Sequence, residues 1–204
     1  MNLLSRGLYV AVEGIDGAGK TTHVRLLADR LRKEGFRVVM VHEPSESEVG
    51  RILRKALRAK RLPEDALALL FAADRLVLRE VVVDALARGC VVVSDRSVLS
   101  SLAYQTAATG RREWVEEVNR YALRPDVVVF IDIPPEEALR RLGKSRQRYE
   151  TASFLRKVRR EYLRALRGFR RVVQVSNDKP VDEVSREVYE GVKPFLRRLH
   201  RRRP

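Results

Sequence analysis

The stretch YVAVEGIDGAGKTT, residues 9–22, decides the fold of this chain. Its apolar first half predicts a buried strand, and residues 14–21 match the phosphate-loop pattern G-x-x-x-x-G-K-[ST]. In such a loop the backbone N–H groups turn inward around phosphate oxygens, and the helix that follows adds its positive end. The order of strand, glycine-rich turn and helix therefore predicts a site for the phosphates of ATP or GTP.

The loop is predicted to surround the triphosphate with nine consecutive residues, which are Gly14, Ile15, Asp16, Gly17, Ala18, Gly19, Lys20, Thr21 and Thr22. Lys20 is the candidate for bridging the terminal phosphates, and Thr21 is the candidate ligand of Mg²⁺. The carboxylate of Asp16 is unexpected in a loop that binds anions. The loop also has no arginine, although phosphoryl transfer usually needs more positive charge than one lysine supplies.

Four further apolar, β-branched runs follow the first, and helical patterns separate them: RVVMVH, CVVVSD, DVVVFIDI and RVVQVS. Short and nearly continuous apolar runs are typical of strands that are buried on both faces of a parallel sheet. The predicted fold is therefore α/β, the three-layer P-loop NTPase fold with a five-stranded parallel sheet flanked by helices. Because no linker or composition break interrupts the pattern, residues 1–204 are predicted to form a single domain.

Lysine and arginine exceed aspartate and glutamate by 42 to 27, a formal net charge of +15. This surplus predicts attraction to nucleotides and also to nucleic acid, but many arginines share helical faces with glutamates, as solvent-exposed ion pairs do. The terminal run 197–204 is predicted to be a frayed basic tail, with a polyanion contact as the alternative. The lone Cys90 fits a reducing cytoplasm, and no apolar run reaches the roughly 20 residues that span a bilayer.

Asp95 and Arg96 come directly after the third predicted strand, at the sheet edge where ligands bind in this fold class. We therefore predict that Asp95 is the outer partner for Mg²⁺ and that Arg96 binds a phosphate. Asp132 ends the fourth predicted strand and is the competing acid. Since IPP and a helix start follow it, a structural or capping role is the favoured interpretation of Asp132.

The segment LLFAADR lies in a long predicted helix, where Phe71 and Arg75 are four residues apart and share a face. An aromatic ring beside an arginine can stack on a base while the arginine donates to a carbonyl. Taken alone, this signal is weak, and core packing is the favoured interpretation of Phe71.

The runs EGIDGAGKTT, HEP, GRILR, LLFAADR, DRSVLSSLAYQ and RRLGKSRQRYE occur in the order seen in thymidylate kinases. The chain resembles this family from Tyr9 to about Tyr162. The resemblance implies a nucleoside monophosphate kinase that passes a phosphoryl group in line from ATP to dTMP for dTTP synthesis, with Mg²⁺ as cofactor and a homodimer as assembly. A kinase of dUMP, UMP or several pyrimidine monophosphates is the near alternative, and a nucleotide-binding module that acts on nucleic acid is the distant one.

The resemblance also implies an acceptor pocket, which consists of Asp16, Pro44, Arg54, Phe71, Arg75, Arg96, Ser101, Tyr104 and Gln105. Asp16 would bind the 3′-hydroxyl of the deoxyribose. Phe71 would stack on thymine, and Arg75 would donate to its O4. Arg54 and Arg96 would bind the phosphate of the monophosphate, and Tyr104 would crowd the 2′ position of its sugar. The other members would line the same pocket.

In one branch of the family the phosphate loop carries the catalytic arginine at the position of Gly17, whereas in the other branch a lid supplies it. The chain resembles the lid-arginine branch. Its lid is predicted to be a short helical segment at about 141–150, and the catalytic residues are predicted to be Lys20, Arg96, Arg141, Arg146 and Arg148. A cation that arrives only when the lid closes stabilises the transition state more than the resting complex.

The chain departs from the family pattern at Ser97, where Tyr or His commonly follows the DR pair. This smaller residue predicts a looser sugar or base pocket. The acceptor loop SESEVG also differs from the glycine-rich bacterial form, and Gln147 stands where an acid usually precedes the lid arginine.

Overall fold

The computed structural model describes residues 7–143 and 151–200 of the chain. Five strands of this part form one parallel sheet, and they are β1 (Leu8–Glu13), β2 (Val38–His42), β3 (Val91–Asp95), β4 (Val127–Asp132) and β5 (Val172–Ser176). The strand order is β2-β3-β1-β4-β5, so β1 lies in the middle with β3 and β4 as its neighbours. The sheet confirms the predicted fold class and places all five predicted strands.

Eight helices of the described part connect and follow the strands. They are α1 (Lys20–Lys33), α2 (Glu48–Ala59), α3 (Glu64–Ala87), α4 (Val98–Thr109), α5 (Arg112–Val118), α6 (Pro135–Leu142), α7 (Ala152–Leu166) and α8 (Val181–His200). Alternate residues of β1 face two different layers: Tyr9 packs with Val82 and Ala85 of α3, whereas Val10 belongs to the cluster that includes Leu27 of α1. Because side chains alternate along a strand, helices cover both faces of the sheet.

The last residue of β1, Glu13, is fully buried behind the phosphate loop. Ser97 donates to its Oε1 at 2.7 Å, and Ser100 and Tyr162 donate to its Oε2 at 2.7 and 3.0 Å. Burial raises the pKa of Glu13, although these hydroxyl groups oppose the shift. The carboxyl group thus joins the end of β1 to α4 and α7, and it fixes the strand from which the loop starts.

The C-terminal run differs from the sequence-based prediction. Helix α8 continues to His200, so residues 197–200 are helical rather than frayed. The reason is that Leu196 is buried and Leu199 packs against the main core cluster, which holds this last turn on the domain. Residues 201–204 lie outside the described residues. The extent of the domain over 1–204 stays a prediction.

Of the helices in the described part, none has both the length and the apolar character needed to cross a lipid bilayer.

Candidate active site

A cavity of about 710 Å³ lies at the carboxyl ends of β1, β2 and β3. The predicted site residues that line it are Asp16, Gly17, Gly19, Lys20, Thr21, Thr22, Pro44, Phe71, Asp95, Arg96, Tyr104 and Gln105. The predicted residues within the described part that do not line it are Gly14, Ile15, Ala18, Arg54, Arg75, Ser101 and Arg141. Segments that are far apart in the sequence therefore meet at one cavity, as the parallel sheet predicts.

The phosphate loop leaves no room for a side chain at Gly17. The φ of this residue is 83°, in the left-handed region, and a Cβ atom would lie 2.4 Å from the backbone oxygen of Ala138 in α6. An arginine at this position would collide with α6.

Lys20, the first residue of α1, is buried at the wall of the cavity. Its Nζ donates to the carbonyl oxygen of Ile15 at 2.8 Å and lies 3.7 Å from Oδ1 of Asp16. Burial, helped by the positive charge of Arg96, lowers the pKa of Lys20 to about 8. The ammonium group is thus held inside the loop by one carbonyl and one carboxylate, at the position expected for binding terminal phosphates.

The carboxylate of Asp16 lies between two cations, because Arg96 is paired with it and Lys20 is close by. Burial opposes its ionisation, but the charges of Arg96 and Lys20 hold the pKa of Asp16 below its ordinary value. The backbone N–H of Asp16 donates to the hydroxyl group of Tyr104 at 2.9 Å. Asp16 therefore balances the positive charge of the loop, whichever sugar contact it makes. The predicted contact to the 3′-hydroxyl stays a prediction.

Arg96 has a φ of 78°, which is uncommon for a residue with a side chain. Its backbone N–H donates to the carbonyl oxygen of Val12 at 3.0 Å, and its Nη1 lies 3.3 Å from Oγ of Ser100. Its guanidinium carbon lies 5.2 Å from the centre of the Tyr104 ring. A backbone conformation of this kind is often found at functional sites, and here it directs an arginine to the phosphate loop.

Asp95 and Asp132 occupy different environments. Oδ2 of Asp95 accepts from the hydroxyl group of Thr21 at 2.5 Å, so two oxygen groups converge beside the phosphate loop. Asp132 instead forms a two-fold ion pair with Arg159 of α7, with contacts of 2.7 and 2.8 Å. Hard oxygen donors are the ligands that Mg²⁺ takes in nucleotide enzymes, often with water completing the shell. Thr21 and Asp95 therefore fit a magnesium ion, whereas Asp132 is already paired.

Arg75 is buried behind the cavity rather than on its wall. Its Nε and Nη2 pair with the carboxylate of Glu43 at 3.0 and 2.5 Å, its Nη1 donates to Asn119, and its Nη2 donates to Oγ of Ser101 at 3.0 Å. Glu43 lines the cavity directly. Sequence reasoning missed Glu43 and Asn119. Glu43 could have been noticed because it precedes Pro44 at the end of a strand, but no local pattern marks Asn119.

Gln105 is a buried polar residue in the wall of the cavity. It lines the cavity together with Phe71 and is only 2 % exposed, yet its carboxamide makes no hydrogen bond within residues 7–143 and 151–200. Buried amides are almost always paired. The carboxamide therefore can donate to and accept from a ligand.

Ser97 does not line the cavity. It is completely buried, its hydroxyl group donates to Glu13 and accepts from the N–H of Leu99 at the start of α4, and its small size fits this role. Ser97 therefore does not form part of the sugar or base pocket, contrary to the prediction from the sequence. Its hydroxyl group instead bonds within the core below the cavity.

The segment after β5 also reaches the phosphate loop, and sequence reasoning missed it. Nδ2 of Asn177 donates to the carbonyl oxygen of Ala18 at 2.7 Å, and the carbonyl oxygen of Asn177 accepts from Nη2 of Arg141 at 2.8 Å. Arg141 also contacts Glu137 at 2.9 Å. The rule that ligands meet the carboxyl ends of strands applied to β5 as well and could have found this segment. Arg146 and Arg148, the other lid candidates, lie outside the described residues.

We expect Gly17→Ala to lower turnover by about 10²-fold, because the collision with Ala138 displaces the phosphate loop by a fraction of an ångström or more. Steady-state kinetics with varied nucleotide would measure it. Gly110→Ala is the matched control: Gly110 has a similar φ of 72°, but no atom lies within 4 Å of its Cβ position. It should lose about 1–2 kcal/mol of stability and keep its turnover. Equal turnover in both variants would contradict the steric argument.

Comparison with known proteins agrees with this geometry. The family model for thymidylate kinase matches residues 12–188. The chain is 38% identical over 193 residues to a probable thymidylate kinase of Methanobrevibacter smithii, with 93% of this chain and 96% of that protein covered. It is 41% identical over 195 residues to one of Methanothermobacter thermautotrophicus, with 93% and 96% covered, and 37% identical over 201 residues to one of Pyrococcus abyssi, with 94% and 98% covered. The chain belongs to the thymidylate kinase family.

Proposed function

We propose that this protein transfers the terminal phosphoryl group of ATP to dTMP and so forms ADP and dTDP, a step toward dTTP. The observation that carries the proposal is that one cavity is lined both by residues of the phosphate loop, among them Lys20 and Thr21, and by Phe71, Tyr104 and Gln105. Similarity to probable thymidylate kinases over more than nine tenths of the chain supports the same substrate pair.

The proposed transfer needs no general base, because the attacking group is a phosphate oxygen of dTMP that is already anionic. A bond forms between this oxygen and the γ-phosphorus as the bond to the bridging oxygen of ADP breaks. Lys20 would bind the terminal phosphates, and Arg96 would hold the acceptor phosphate near the loop. Their main contribution is position and charge, since holding two reactants in line removes much of the entropic barrier.

A kinase of this family uses a divalent metal ion with ATP, and we propose Mg²⁺ with Thr21 and Asp95 as its protein partners. When bound, Mg²⁺ neutralises the charge that develops on the phosphate oxygens. The hydroxyl group of Thr21 would then exchange its present hydrogen bond to Asp95 for the metal shell. The carboxylate of Asp95 would remain to orient that shell.

The base and sugar pocket supports a deoxypyrimidine as acceptor. Phe71 offers a ring for stacking, and the amide of Gln105 can pair with the edge of a uracil-type base. Tyr104 lies beside the loop, where its hydroxyl group accepts from Asp16, and would exclude a 2′-hydroxyl. Arg54 and Pro44 belong to the proposed phosphate end of the same pocket. In the structure Nη1 of Arg54 donates to the carbonyl oxygen of Pro44 at 2.9 Å.

The catalytic cation is proposed to come from the lid. Gly17 cannot be replaced by an arginine without collision, and α6 ends at Leu142, immediately before the segment with Arg146 and Arg148. Arg141 is the third candidate. Because it bonds to Asn177, whose amide contacts the loop at Ala18, Arg141 also ties the start of the lid to the phosphate loop.

We further propose a homodimer in the cytoplasm. Helix α3 carries the exposed apolar residues Leu69, Leu76, Val77, Val81 and Val83, which are 39–52% exposed. A second copy of the chain would cover this surface, and patches of this kind commonly mark protein contacts. Light scattering tests the assembly, since a dimer has twice the 23.5 kDa of one chain. The single cysteine, Cys90, supports a reducing compartment.

The activity is tested by ADP release with ATP, Mg²⁺ and, in turn, dTMP, dUMP, UMP and dCMP. We expect kcat/KM to be highest for dTMP. dUMP lacks the 5-methyl group of dTMP, so its kcat/KM should be about 10–200-fold lower if that methyl group fills an apolar pocket. Equal efficiency on UMP and dTMP would contradict the proposal and favour a broad pyrimidine kinase. Transfer to none of the four, together with tight and salt-sensitive duplex binding, would favour the nucleic-acid alternative.

Arg146→Ala and Arg148→Ala are expected to lower kcat much more than they change nucleotide affinity, by up to about 10³-fold for the residue that reaches the transferred phosphoryl group. Single-turnover kinetics with saturating ATP and dTMP would measure this loss. Arg140→Ala is the control, because the Arg140 side chain is 77% exposed and pairs with Glu137. Full turnover in both lid variants would contradict a lid-borne catalytic arginine.

Asp95→Asn is expected to raise the Mg²⁺ concentration for half-maximal rate by about 10–100-fold, because the carboxylate that orients Thr21 and the metal shell is lost. Titration of the rate with MgCl₂ at fixed free ATP measures this change. Asp132→Asn is the matched control, since Asp132 also ends a strand of the sheet, β4, but pairs with Arg159 instead. It should leave the Mg²⁺ midpoint unchanged. A larger shift in Asp132→Asn than in Asp95→Asn would reverse our assignment.

A further inference from the structure

Asp74 has a buried carboxylate that the proposed transfer does not use. It lies in α3 and is 1% exposed. Its Oδ2 accepts from the backbone N–H of Ser45 at 2.7 Å, and its Oδ1 accepts from the hydroxyl groups of Ser45 and of Ser47, the latter at 2.9 Å. Within residues 7–143 and 151–200 these are its only hydrogen bonds, and no cation pairs with it. A buried charge is tolerated only with such bonds, so Asp74 and the turn 45–47 depend on each other.

The same turn is held from its other side by α2. Arg54 donates to the carbonyl oxygens of Pro44 and Ser45, and the hydroxyl group of Ser47 caps α2 by accepting from the N–H of Gly50 at 3.0 Å. A Cβ atom at Gly50 would lie 2.0 Å from the oxygen of Ser45 and 2.9 Å from Oδ1 of Asp74. The turn is therefore packed tightly between two helices, with Asp74 as its anchor in one and Arg54 in the other.

Two consecutive residues of α3 hold this loop at two points. One of these points lies in the wall of the cavity, and the other does not. Arg75 pairs with Glu43, which lines the cavity. Asp74 binds Ser45, which follows Pro44 and contacts Arg54. The two anchors thus act on different parts of the loop: Arg75 holds Glu43 in the cavity wall, and Asp74 holds the turn that Arg54 contacts.

We propose that Asp74 is a positioning residue that fixes the turn 45–47 and Arg54 for the phosphate of the monophosphate acceptor. This inference rests on the proposed function. The bacterial form of this acceptor loop is rich in glycine. In this chain the hydroxyl groups of Ser45 and Ser47 both donate to Oδ1 of Asp74, and these bonds would hold the loop in place. Loss of Asp74 should then weaken binding of the acceptor's phosphate and leave binding of its nucleoside part unchanged.

The test compares Asp74→Asn with the wild-type enzyme for dTMP as substrate and for thymidine as a competitive inhibitor. Thymidine has the base and sugar of dTMP but lacks its phosphate. We expect the KM for dTMP to rise about 10–100-fold, the range that a lost hydrogen bond to a charged group implies. The inhibition constant of thymidine and the KM for ATP should change by less than about twofold, the scatter expected for a site that is not coupled.

Asp84→Asn is the matched control, since Asp84 lies in the same helix, has a side chain that is 66% exposed, and pairs with Arg88. It should change none of the constants. If Asp74→Asn does not fold by circular dichroism, Ser45→Ala decides the matter, because it removes one hydroxyl donor and keeps the buried carboxylate. It should raise the KM for dTMP about threefold to tenfold with the thymidine constant unchanged.

An equal loss of dTMP and thymidine affinity, or a parallel rise in the KM for ATP, would show that Asp74 supports the whole domain and would overturn the inference. An unchanged KM for dTMP in Asp74→Asn would overturn it as well. Failure of the proposed function is separate, because it would appear as no transfer to dTMP by the wild-type enzyme.

Discussion

The ion pair between Arg96 and Asp16 is the interaction on which the cavity depends. A loop that receives phosphates must gather positive charge, and buried cations repel one another and lose solvation. Asp16 compensates for both Arg96 and Lys20, and this is why a carboxylate lies in an anion-binding loop. Phosphate oxygens that approach Arg96 and Lys20 would take over part of this compensation. Asp16 would then be available to accept from a hydroxyl group of the acceptor, as the family resemblance implies.

A steric constraint of the backbone determines where the remaining positive charge can come from. Helix α6 approaches the loop so closely that only a glycine fits at position 17. The same helix ends at Leu142 and leads into the segment that we propose as the lid. The contact that excludes an arginine from the loop therefore also brings the start of the proposed lid beside it. Asn177 strengthens this link, because it bonds to Ala18 in the loop and to Arg141 at the end of α6.

Sequence patterns were sufficient for features that depend on neighbours along the chain. Continuous apolar runs predicted each strand. The residues after Asp95 and Asp132 favoured a place beside the phosphate loop for Asp95 and a structural role for Asp132, and the two side chains have these environments. Patterns were not sufficient where partners lie far apart: the arginine predicted to face the base, Arg75, is held by Asn119, 44 residues away. Ser97 was misjudged for the same reason, since its partner Glu13 is 84 residues distant. A tertiary contact of Leu199 likewise ordered a turn whose composition predicts fraying.

The network around Arg75 also bears on how a base could be selected. The amide of Gln105 can rotate, so it can match the donor and acceptor groups of either a uracil or a cytosine edge. Ser101 has less freedom, because its oxygen already accepts from Arg75, and its hydrogen is left to donate. Arg75 itself can only donate, and it is fixed by Glu43. Arg75 reaches the cavity only through Glu43, which it holds in place and which lines the wall. This network therefore bears on selection among bases by keeping the wall of the pocket rigid, because a wall that cannot adapt leaves the polar groups of a mismatched base unpaired.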